Sequence, residues 1–333
     1  MRVLYIGGTG NISSACVAES LARGHEVTLL TRGNLLAPVG VHAVLGDRQD
    51  RSLLADLASQ SFDVVANFLG FVSDDIDRDV GAFRGHVGQY LFVSSAACYE
   101  KPPQHHVITE DTPLANPYWQ YARDKIACEA ALRQAMNGGF PATIVRPSYT
   151  YGETWVPCSV GGHGYTVVDR IRRAKPIISH GDGQSLWVLT HTSDFAVGFV
   201  GLFGKAKALG EAFQITSDEV QTWDGIYRTI AQAAGREARI EHISSAFIAG
   251  CYPKLGPGLL GDKTYSVVFD CRKLKRVVPE FEAKVTFAEG IRRSLAWHDA
   301  DPNRRHTVNA EVDAMMDDLI ARHRAAMGSG DTG

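Results

Sequence analysis

The chain has 333 residues, 45% of them hydrophobic and 21% charged, which excludes an intrinsically disordered chain and predicts two unequal domains. Lys and Arg total 34 against 37 Asp and Glu, a formal net charge of −3, so we expect neither a nucleic-acid partner nor binding to an anionic membrane. We expect no membrane-spanning helix and no signal peptide, because apolar runs are short and the first strand leads directly into a glycine turn. The six scattered cysteines form no CxxC pair, which favours reduced thiols in a cytoplasmic protein.

The first half of the chain alternates short β-branched runs with helical stretches. This alternation is typical of a parallel sheet that helices cover on both faces. The predicted strands are 3–6, 27–31, 42–45, 64–68, 90–93 and 142–145. The predicted helices are 12–23, 51–59 with Asp50 as its cap, and 117–136.

The second half has a looser pattern, rich in glycine. Irregular loops are predicted at 153–165 and 252–264, and a strand at 187–190. The predicted helices are 166–174, one from the cap Thr192 or Ser193 to 203, 222–235, 286–298 and 309–327. Residues 328–333 are predicted to be disordered.

A glycine-rich turn links the first predicted strand to the first predicted helix. Such a turn lets bare backbone and helix N–H groups approach a dinucleotide pyrophosphate, although the same residues could form an ordinary strand-to-helix turn. The candidate cofactor contacts here are Gly7, Gly8, Thr9, Gly10, Asn11 and Ile12. Ser13 stands where a third glycine is usual, and a small serine can fit there.

Two charged residues after the next strands bear on which dinucleotide binds. Arg32 follows the second strand, where an arginine suits the 2′-phosphate of NADP and a carboxylate suits the ribose of NAD. The alternative is a solvated surface arginine. Asp47 follows the third strand and could lie near the adenine, or could simply be a turn residue.

Tyr121 and Lys125 stand four residues apart on the predicted helix at 117–136. Such side chains share one face of a helix, so we expect the ammonium to lower the pKa of the phenol and to make it a general acid and base near neutral pH. A YxxxK pattern alone occurs by chance in many helices. Ser95, at the end of the strand at 90–93, adds a hydroxyl for the same substrate oxygen.

The glycine turn and the Tyr121/Lys125 pair are accompanied by segments 92–99 (FVSSAACY), 146–152 (RPSYTYG) and 191–194 (HTSD). With Gly-Asp-Gly after the helix at 166–174, this combination resembles the extended short-chain dehydrogenase/reductase superfamily, over about residues 2–300. That superfamily includes the NAD(P)-dependent sugar epimerases and dehydratases.

The resemblance implies an α/β fold, with a Rossmann-type doubly wound parallel sheet and a smaller mixed α/β C-terminal substrate domain. The cofactor domain would comprise residues 1–175 and about 187–205, and the substrate domain residues 153–186 and 206–300, before a C-terminal helix and tail at 301–333. It also implies a homodimer that pairs through the helix at 117–136.

The resemblance assigns roles residue by residue. Ser95, Tyr121 and Lys125 would form a catalytic triad, in which Lys125 also holds the nicotinamide ribose. The further cofactor contacts would be Phe68, Leu69, Gly70, Ser94, Pro147, Ser148 and Tyr149. We expect the substrate to contact Ser95, Ala96, Tyr121, Trp155, Cys158, His163 and Trp187. No metal is expected.

Two departures from the family pattern narrow the chemistry. Ala96 and Ala97 stand where dehydratases carry an acidic pair and decarboxylases a glutamate, which argues against both reactions. Trp187 stands where many relatives place an arginine for a nucleotide diphosphate. Either another cation, such as Arg170, Arg172 or Arg173, holds the diphosphate, or the substrate carries none.

We therefore predict a sugar epimerase or ketoreductase that acts by reversible hydride transfer on a sugar, a nucleotide sugar or a related polyol. The cofactor is NADP or NAD, and Arg32 favours NADP. The alternative is a non-catalytic nucleotide- or RNA-binding protein on the same fold, like the chloroplast RNA-binding relatives of the superfamily. The net charge of −3 and the complete Ser-Tyr-Lys set argue against that alternative.

Overall fold

The structure is a computed structural model that describes residues 1–328, apart from the side chains of residues 306 and 307. Its strands are β1 (Arg2–Ile6), β2 (Glu26–Thr31), β3 (Val41–Leu45), β4 (Phe62–Asn67), β5 (Val87–Val93), β6 (Val107–Ile108), β7 (Ala142–Pro147), β8 (Tyr149–Tyr151), β9 (Ile177–His180), β10 (Leu186–His191), β11 (Ala212–Ile215), β12 (Val220–Thr222), β13 (Ile240–Ile243) and β14 (Val268–Phe269).

The helices are α1 (Asn11–Ala22), α2 (Arg51–Ser59), α3 (Ser73–Phe83), α4 (Gln120–Asn137), α5 (Thr166–Arg172), α6 (Thr192–Gly201), α7 (Trp223–Ala233), α8 (Ser245–Cys251), α9 (Gly256–Gly258), α10 (Arg272–Val277), α11 (Phe287–Asp299) and α12 (Ala310–Gly328). Of the predicted disordered tail, Gly328 ends α12 and residues 329–333 lie outside the described residues. None of the described helices combines the length and the apolarity needed to cross a bilayer.

Seven parallel strands form the central sheet in the order β3-β2-β1-β4-β5-β7-β11. The strand order reverses between β1 and β4, and in such sheets the loops beyond the carboxyl ends enclose a crevice at that point. This topology confirms the predicted doubly wound sheet. Strands β8, β10 and β12 form a second sheet, while β9 pairs with β13 and β6 with β14. The division into a cofactor domain and a substrate domain stays a prediction.

Helices cover both faces of the central sheet, and the alternation of side chains along β1 shows why. Val3 and Tyr5 are fully buried in one apolar core, together with residues of α1 and α6. Leu4 and Ile6 are fully buried in another, together with residues of α2, α3 and α4. Successive side chains of a strand point to opposite faces, so a continuous apolar run requires a cover on each side.

The helix that carries Tyr121 begins at Gln120, three residues later than the sequence predicts. The reason is a side-chain turn at Asn116, whose Oδ1 accepts hydrogen bonds from the backbone N–H groups of Tyr118 (3.2 Å) and Trp119 (3.1 Å). This local alternative to helical hydrogen bonds holds the first predicted residues outside the helix.

Two other expectations were wrong in detail. Residues 252–264 form short helical turns rather than a loop, because Pro253 and Pro257 occupy first-turn positions where a missing N–H costs nothing. Helix α6 is capped neither by Thr192 nor by Ser193 and ends at Gly201. The side chain of His191 is the cap, since its Nδ1 accepts a hydrogen bond from the backbone N–H of Ser193 at 3.3 Å.

Candidate active site

A cavity of about 740 Å³ opens at the carboxyl edge of the central sheet. Loops that follow β1, β2, β3, β4, β5 and β7 contribute its walls, together with α4. It brings together most of the residues that the sequence singles out: Gly7, Gly8, Thr9, Gly10, Asn11, Ile12, Arg32, Asp47, Phe68, Leu69, Ser94, Tyr121, Lys125, Pro147 and Trp155.

The glycine turn leaves backbone without side chains at the N-terminus of α1. Gly7 has a φ of +83°, and a Cβ on it would lie 3.0 Å from Cγ of Leu69. A Cβ on Gly8 would lie 2.8 Å from Cδ2 of Leu29. A side chain would be crowded at both positions. The helix that follows begins after Gly10, whose side chain cannot cap it and whose N–H donates a hydrogen bond to Ser13 Oγ at 3.0 Å. The turn therefore fits a dinucleotide pyrophosphate held by backbone N–H groups.

Arg32 and Asp47 stand on the cavity wall beyond the glycine turn. Arg32 is exposed, and none of the described residues forms an ion pair or a hydrogen bond with its side chain. Asp47 accepts a hydrogen bond from the backbone N–H of Gln49 at 2.8 Å, so it also holds a local turn. A free guanidinium here can bind an anionic group of a ligand.

The sequence analysis missed a buried ionic group behind this wall. Arg48 pairs with Asp75 and also with Asp79, at 3.0 Å in the second case. Asp79 accepts hydrogen bonds from Asn67 Nδ2 and from Tyr90 Oη, each at 2.6 Å. The signal for this ionic group in the sequence was weak, because the run of charged residues on α3 is typical of any solvated helix. The group fixes the loops after β3 and β4, which form part of the cavity.

Tyr121 and Lys125 enter the same cavity from α4, and Ser95 lies next to them. A hydrogen bond with Ser95 partly offsets the burial that raises the pKa of Tyr121 to about 12. Ser95 Oγ also accepts a hydrogen bond from the backbone N–H of Ala97 at 3.1 Å, which fixes this hydroxyl at the end of β5. The hydroxyl groups of Tyr121 and Ser95 are thus neighbours, as needed to hold and protonate a single oxygen.

The expectation that Lys125 lowers the pKa of Tyr121 is wrong, because burial raises that pKa. Nζ of Lys125 donates hydrogen bonds to the backbone oxygens of Gly70 (2.7 Å) and Val93 (2.8 Å) and lies 6.0 Å from the ring centroid of Tyr121. Burial lowers the pKa of Lys125 to about 8. The ammonium is therefore directed at the sheet edge, and burial of the phenol decides the pKa of Tyr121.

A buried ion pair supports the end of β5, where Ser94 and Ser95 lie. Glu129 of α4 accepts two hydrogen bonds from Arg146 of β7, at 2.9 and 2.6 Å. It also accepts a hydrogen bond from Ser94 Oγ at 2.6 Å. Both charged side chains are only 1% exposed, so the pair connects two strands and a helix where water cannot replace it.

The expected substrate residues separate into two places. The ring of Trp155, on the cavity wall, stacks on His163 with centroids 3.8 Å apart, and His163 Nδ1 is hydrogen-bonded to Tyr149 Oη at 2.8 Å. Burial raises the pKa of the Cys158 thiol, so the thiolate is scarce and this residue is unsuited to act as a nucleophile. Trp187 is 4% exposed and packs 5.5 Å from the ring of Trp223, away from the cavity.

The remaining candidates lie beside the cavity rather than on its wall. They are Gly70, whose oxygen Lys125 binds, Ala96, which is buried after Ser95, Ser148, whose Oγ lies 3.2 Å from Thr190 Oγ1, and Tyr149. The location of these residues does not establish whether they bind a ligand, so their assigned contacts stay predictions.

The chain resembles known sequences over much of its length. The sequence model described as "NAD dependent epimerase/dehydratase family" matches residues 3–216. The 2′-dehydrokanamycin reductase of Streptomyces kanamyceticus is 26% identical over 289 residues, 85% of this chain and 81% of that protein. The chloroplast stem-loop binding protein of 41 kDa b of Arabidopsis thaliana is 27% identical over 252 residues, 70% of this chain. This chain covers 63% of the length of the chloroplast protein.

Solved structures show the same fold. The UDP-glucose 4-epimerase of Thermus thermophilus, in complex with NAD, has a TM-score of 0.70 at 23% identity and covers 89% of this chain and 98% of its own. A dTDP-glucose 4,6-dehydratase of Bacillus anthracis, also with NAD, has a TM-score of 0.74 at 18% identity, with coverage of 93% and 100%. At these identities the likeness concerns the fold alone.

Proposed function

The chain belongs to the NAD dependent epimerase/dehydratase family, and we propose that it transfers a hydride between a nicotinamide dinucleotide and a carbon of a sugar or related polyol. It is thus an enzyme of the extended short-chain dehydrogenase type. The observation that carries the proposal is that Tyr121, Lys125 and the glycine turn line one cavity. Ser95 joins them through its hydrogen bond to the phenol.

The residues divide the work as follows. When bound, the dinucleotide supplies the hydride chemistry. The glycine turn holds the pyrophosphate, and Lys125, after its bonds to two backbone oxygens, keeps one N–H for the nicotinamide ribose. Ser95 donates a hydrogen bond to the substrate oxygen, and Tyr121 gives it a proton or removes one.

Of the two outcomes that the sequence leaves open, we propose net reduction of a keto sugar rather than epimerisation. A phenol with a pKa of about 12 is protonated at neutral pH, which suits a proton donor to a carbonyl. The unpaired Arg32 supports NADPH, and the similarity to 2′-dehydrokanamycin reductase covers 85% of this chain. A nucleotide-sugar substrate, as in the neighbouring epimerases, is the other form that the proposal allows.

Identification of the cofactor tests this function. We expect purified protein to release no dinucleotide on denaturation, and to oxidise added NADPH when keto sugars are supplied, since a reductase must exchange its cofactor in each turnover. Chromatography with mass detection, followed by an absorbance assay, makes both measurements. Tightly bound NAD would instead indicate an epimerase. Failure to bind either dinucleotide would exclude the proposed enzymatic function.

Arg32 gives the second test. We expect Arg32→Ser to raise KM for NADPH about 10- to 100-fold and to leave KM for NADH unchanged, because a charged hydrogen bond to the 2′-phosphate is lost. Arg236→Ser is the matched control, since Arg236 is exposed and lies outside the cavity. Equal effects on the two dinucleotides would contradict the assignment.

The similarity to the chloroplast stem-loop binding protein favours one second candidate, a protein that binds RNA on this fold. Only an enzyme should depend on the hydroxyl of Tyr121, so Tyr121→Phe, which removes that hydroxyl alone, separates the two candidates.

We further propose that the protein is a homodimer that pairs through α4, and that it acts in the reducing cytoplasm. The second point is supported by six cysteines, all of them free thiols.

A further inference from the structure

The loop at residues 153–165, which we call the wall loop, contributes to the cavity but has little local structure of its own. Its Trp155 lies on the cavity wall and stacks on His163. The structure describes neither a helix nor a strand between β8 and α5, and Gly161 and Gly162 have φ angles of +98° and +87°. Such angles favour glycine, whose backbone is the least restricted. The shape of the wall loop therefore depends on the elements that pack against it.

Helix α12 packs directly on the wall loop. A Cβ on Gly161 would lie 2.5 Å from Cγ1 of Val312 and 3.2 Å from Cε of Met316, so these side chains touch the loop backbone. Met316 is 1% exposed and belongs to an apolar cluster that also contains residues of the wall loop. Gly161 lies two residues before His163, the ring that supports Trp155. We therefore expect a shift of α12 to displace this part of the cavity wall.

Two carboxylates of α12 fasten the helix to α5 and to the residues that follow it. Arg170 of α5 is fully buried, and its Nη1 donates hydrogen bonds to the backbone oxygen of Asp313, at 2.9 Å, and to the carboxylate of the same residue. Nη2 of Arg170 donates to Asp317 at 2.9 Å. Lys175 Nζ donates to the same two carboxylates, at 3.0 and 2.6 Å. Because a buried guanidinium is costly without its partners, these contacts hold α12 in place.

We propose that α12 is a strap that fixes the position of Trp155, and that Asp313 and Asp317 are positioning residues for binding of the substrate. This inference rests on the proposed function and extends it to a helix outside residues 3–216, the part that matches the family model. When the strap is weakened, a smaller fraction of the protein holds the wall loop in the form that binds the sugar. The dinucleotide should bind as before, because the glycine turn and Arg32 belong to other elements.

Hydrogen exchange followed by mass spectrometry tests the strap without any substrate. We expect the amides of residues 158–163 to exchange about 10- to 100-fold faster in Asp313→Asn than in the wild-type protein, because Arg170 loses a charged partner. Residues 2–22, which include the glycine turn, should exchange at the wild-type rate. Glu311→Gln is the matched control, since it removes one exposed carboxylate from the same helix and should leave exchange unchanged.

Val312→Ala provides an independent variant, because it leaves both carboxylates in place and removes methyl groups that touch Gly161. It should also accelerate exchange at residues 158–163, by a smaller factor than Asp313→Asn. If Asp313→Asn exchanges faster throughout the chain, it is globally destabilised, and Val312→Ala then decides the question. Wild-type exchange at residues 158–163 in Val312→Ala, or in Asp313→Asn when it is folded, would overturn the proposal.

Steady-state kinetics give the functional readout, with the keto sugar that the wild-type protein reduces fastest. In Asp313→Asn, KM for this sugar should rise about 3- to 10-fold while kcat and KM for NADPH stay unchanged, since the molecules that hold Trp155 in place react normally. Asp313→Glu keeps the charge and should restore most of the wild-type KM. Equal rises in both KM values, or the same rise in Glu311→Gln, would contradict a positioning role. Faster exchange at residues 158–163 in the variants, with no hydride transfer by the wild-type protein, would uphold the strap and refute the proposed function.

Discussion

Replacement of Tyr121 by phenylalanine should lower kcat for reduction of a keto sugar by about 10²- to 10⁴-fold and leave the affinity for the dinucleotide nearly unchanged. The ring remains, so the packing of α4 and the 6.0 Å approach of Lys125 Nζ to the ring are preserved. Only the hydroxyl that shares a hydrogen bond with Ser95 is removed. The developing alkoxide then lacks its proton donor.

The reverse reaction gives the same prediction a second readout. Oxidation requires the phenolate, and a pKa of about 12 means that this form is scarce at neutral pH. The oxidative rate of the wild-type protein should therefore rise with pH up to that value, and this dependence should be lost in Tyr121→Phe.

Tyr118→Phe is the control for this experiment. Tyr118 is exposed, three residues earlier in the chain and absent from the cavity wall. It should retain wild-type turnover. Near-normal reduction by Tyr121→Phe would remove Tyr121 from the mechanism, and unchanged RNA binding in both variants would favour the non-catalytic alternative.

The central sheet was predictable because β1, β2 and β4 contain continuous buried runs and because glycines or helix caps mark several of the turns between elements. Asp50 illustrates this, since it caps α2 through hydrogen bonds to two backbone N–H groups, as predicted. Helix α3 escaped prediction because its polar residues, among them Asp75 and Asp79, are buried by ionic partners distant in sequence. A periodicity argument counts such residues as solvated.

The site was predictable as far as local motifs define it. The glycine turn and the spacing of Tyr121 and Lys125 are each contained within a few residues, and the cavity brings them together. What spacing could not indicate was the direction of the lysine ammonium, which is set by backbone oxygens that lie 55 and 32 residues away in the chain.

Arg146→Leu should produce the largest loss of stability, about 3–5 kcal/mol, because it leaves the carboxylate of Glu129 buried without its partner. Adding Glu129→Leu should recover part of this loss, since no buried charge then remains, although Ser94 Oγ loses its acceptor. Urea unfolding followed by circular dichroism measures both changes. Arg322→Leu is the matched control, because its ion pair with Asp318, 2.7 Å long, is exposed and screened by water. The unfolding midpoint of this control should barely move.

Dinucleotide affinity separates the effect of this ion pair on the cavity from its effect on stability. The loops after β5 and β7 meet at the cavity, so the double variant, although folded, should bind the dinucleotide more weakly than the wild-type protein. Equal destabilisation by Arg146→Leu and Arg322→Leu would contradict a buried pair at this position. If the double variant lost more free energy of unfolding than the two single variants lose together, Glu129 and Arg146 would destabilise each other. That result would contradict the hydrogen bonds of 2.6 and 2.9 Å between them. Burial, rather than a short distance alone, makes the loss of Arg146 costly for stability, because the exposed pair of Arg322 and Asp318 has nearly the same length.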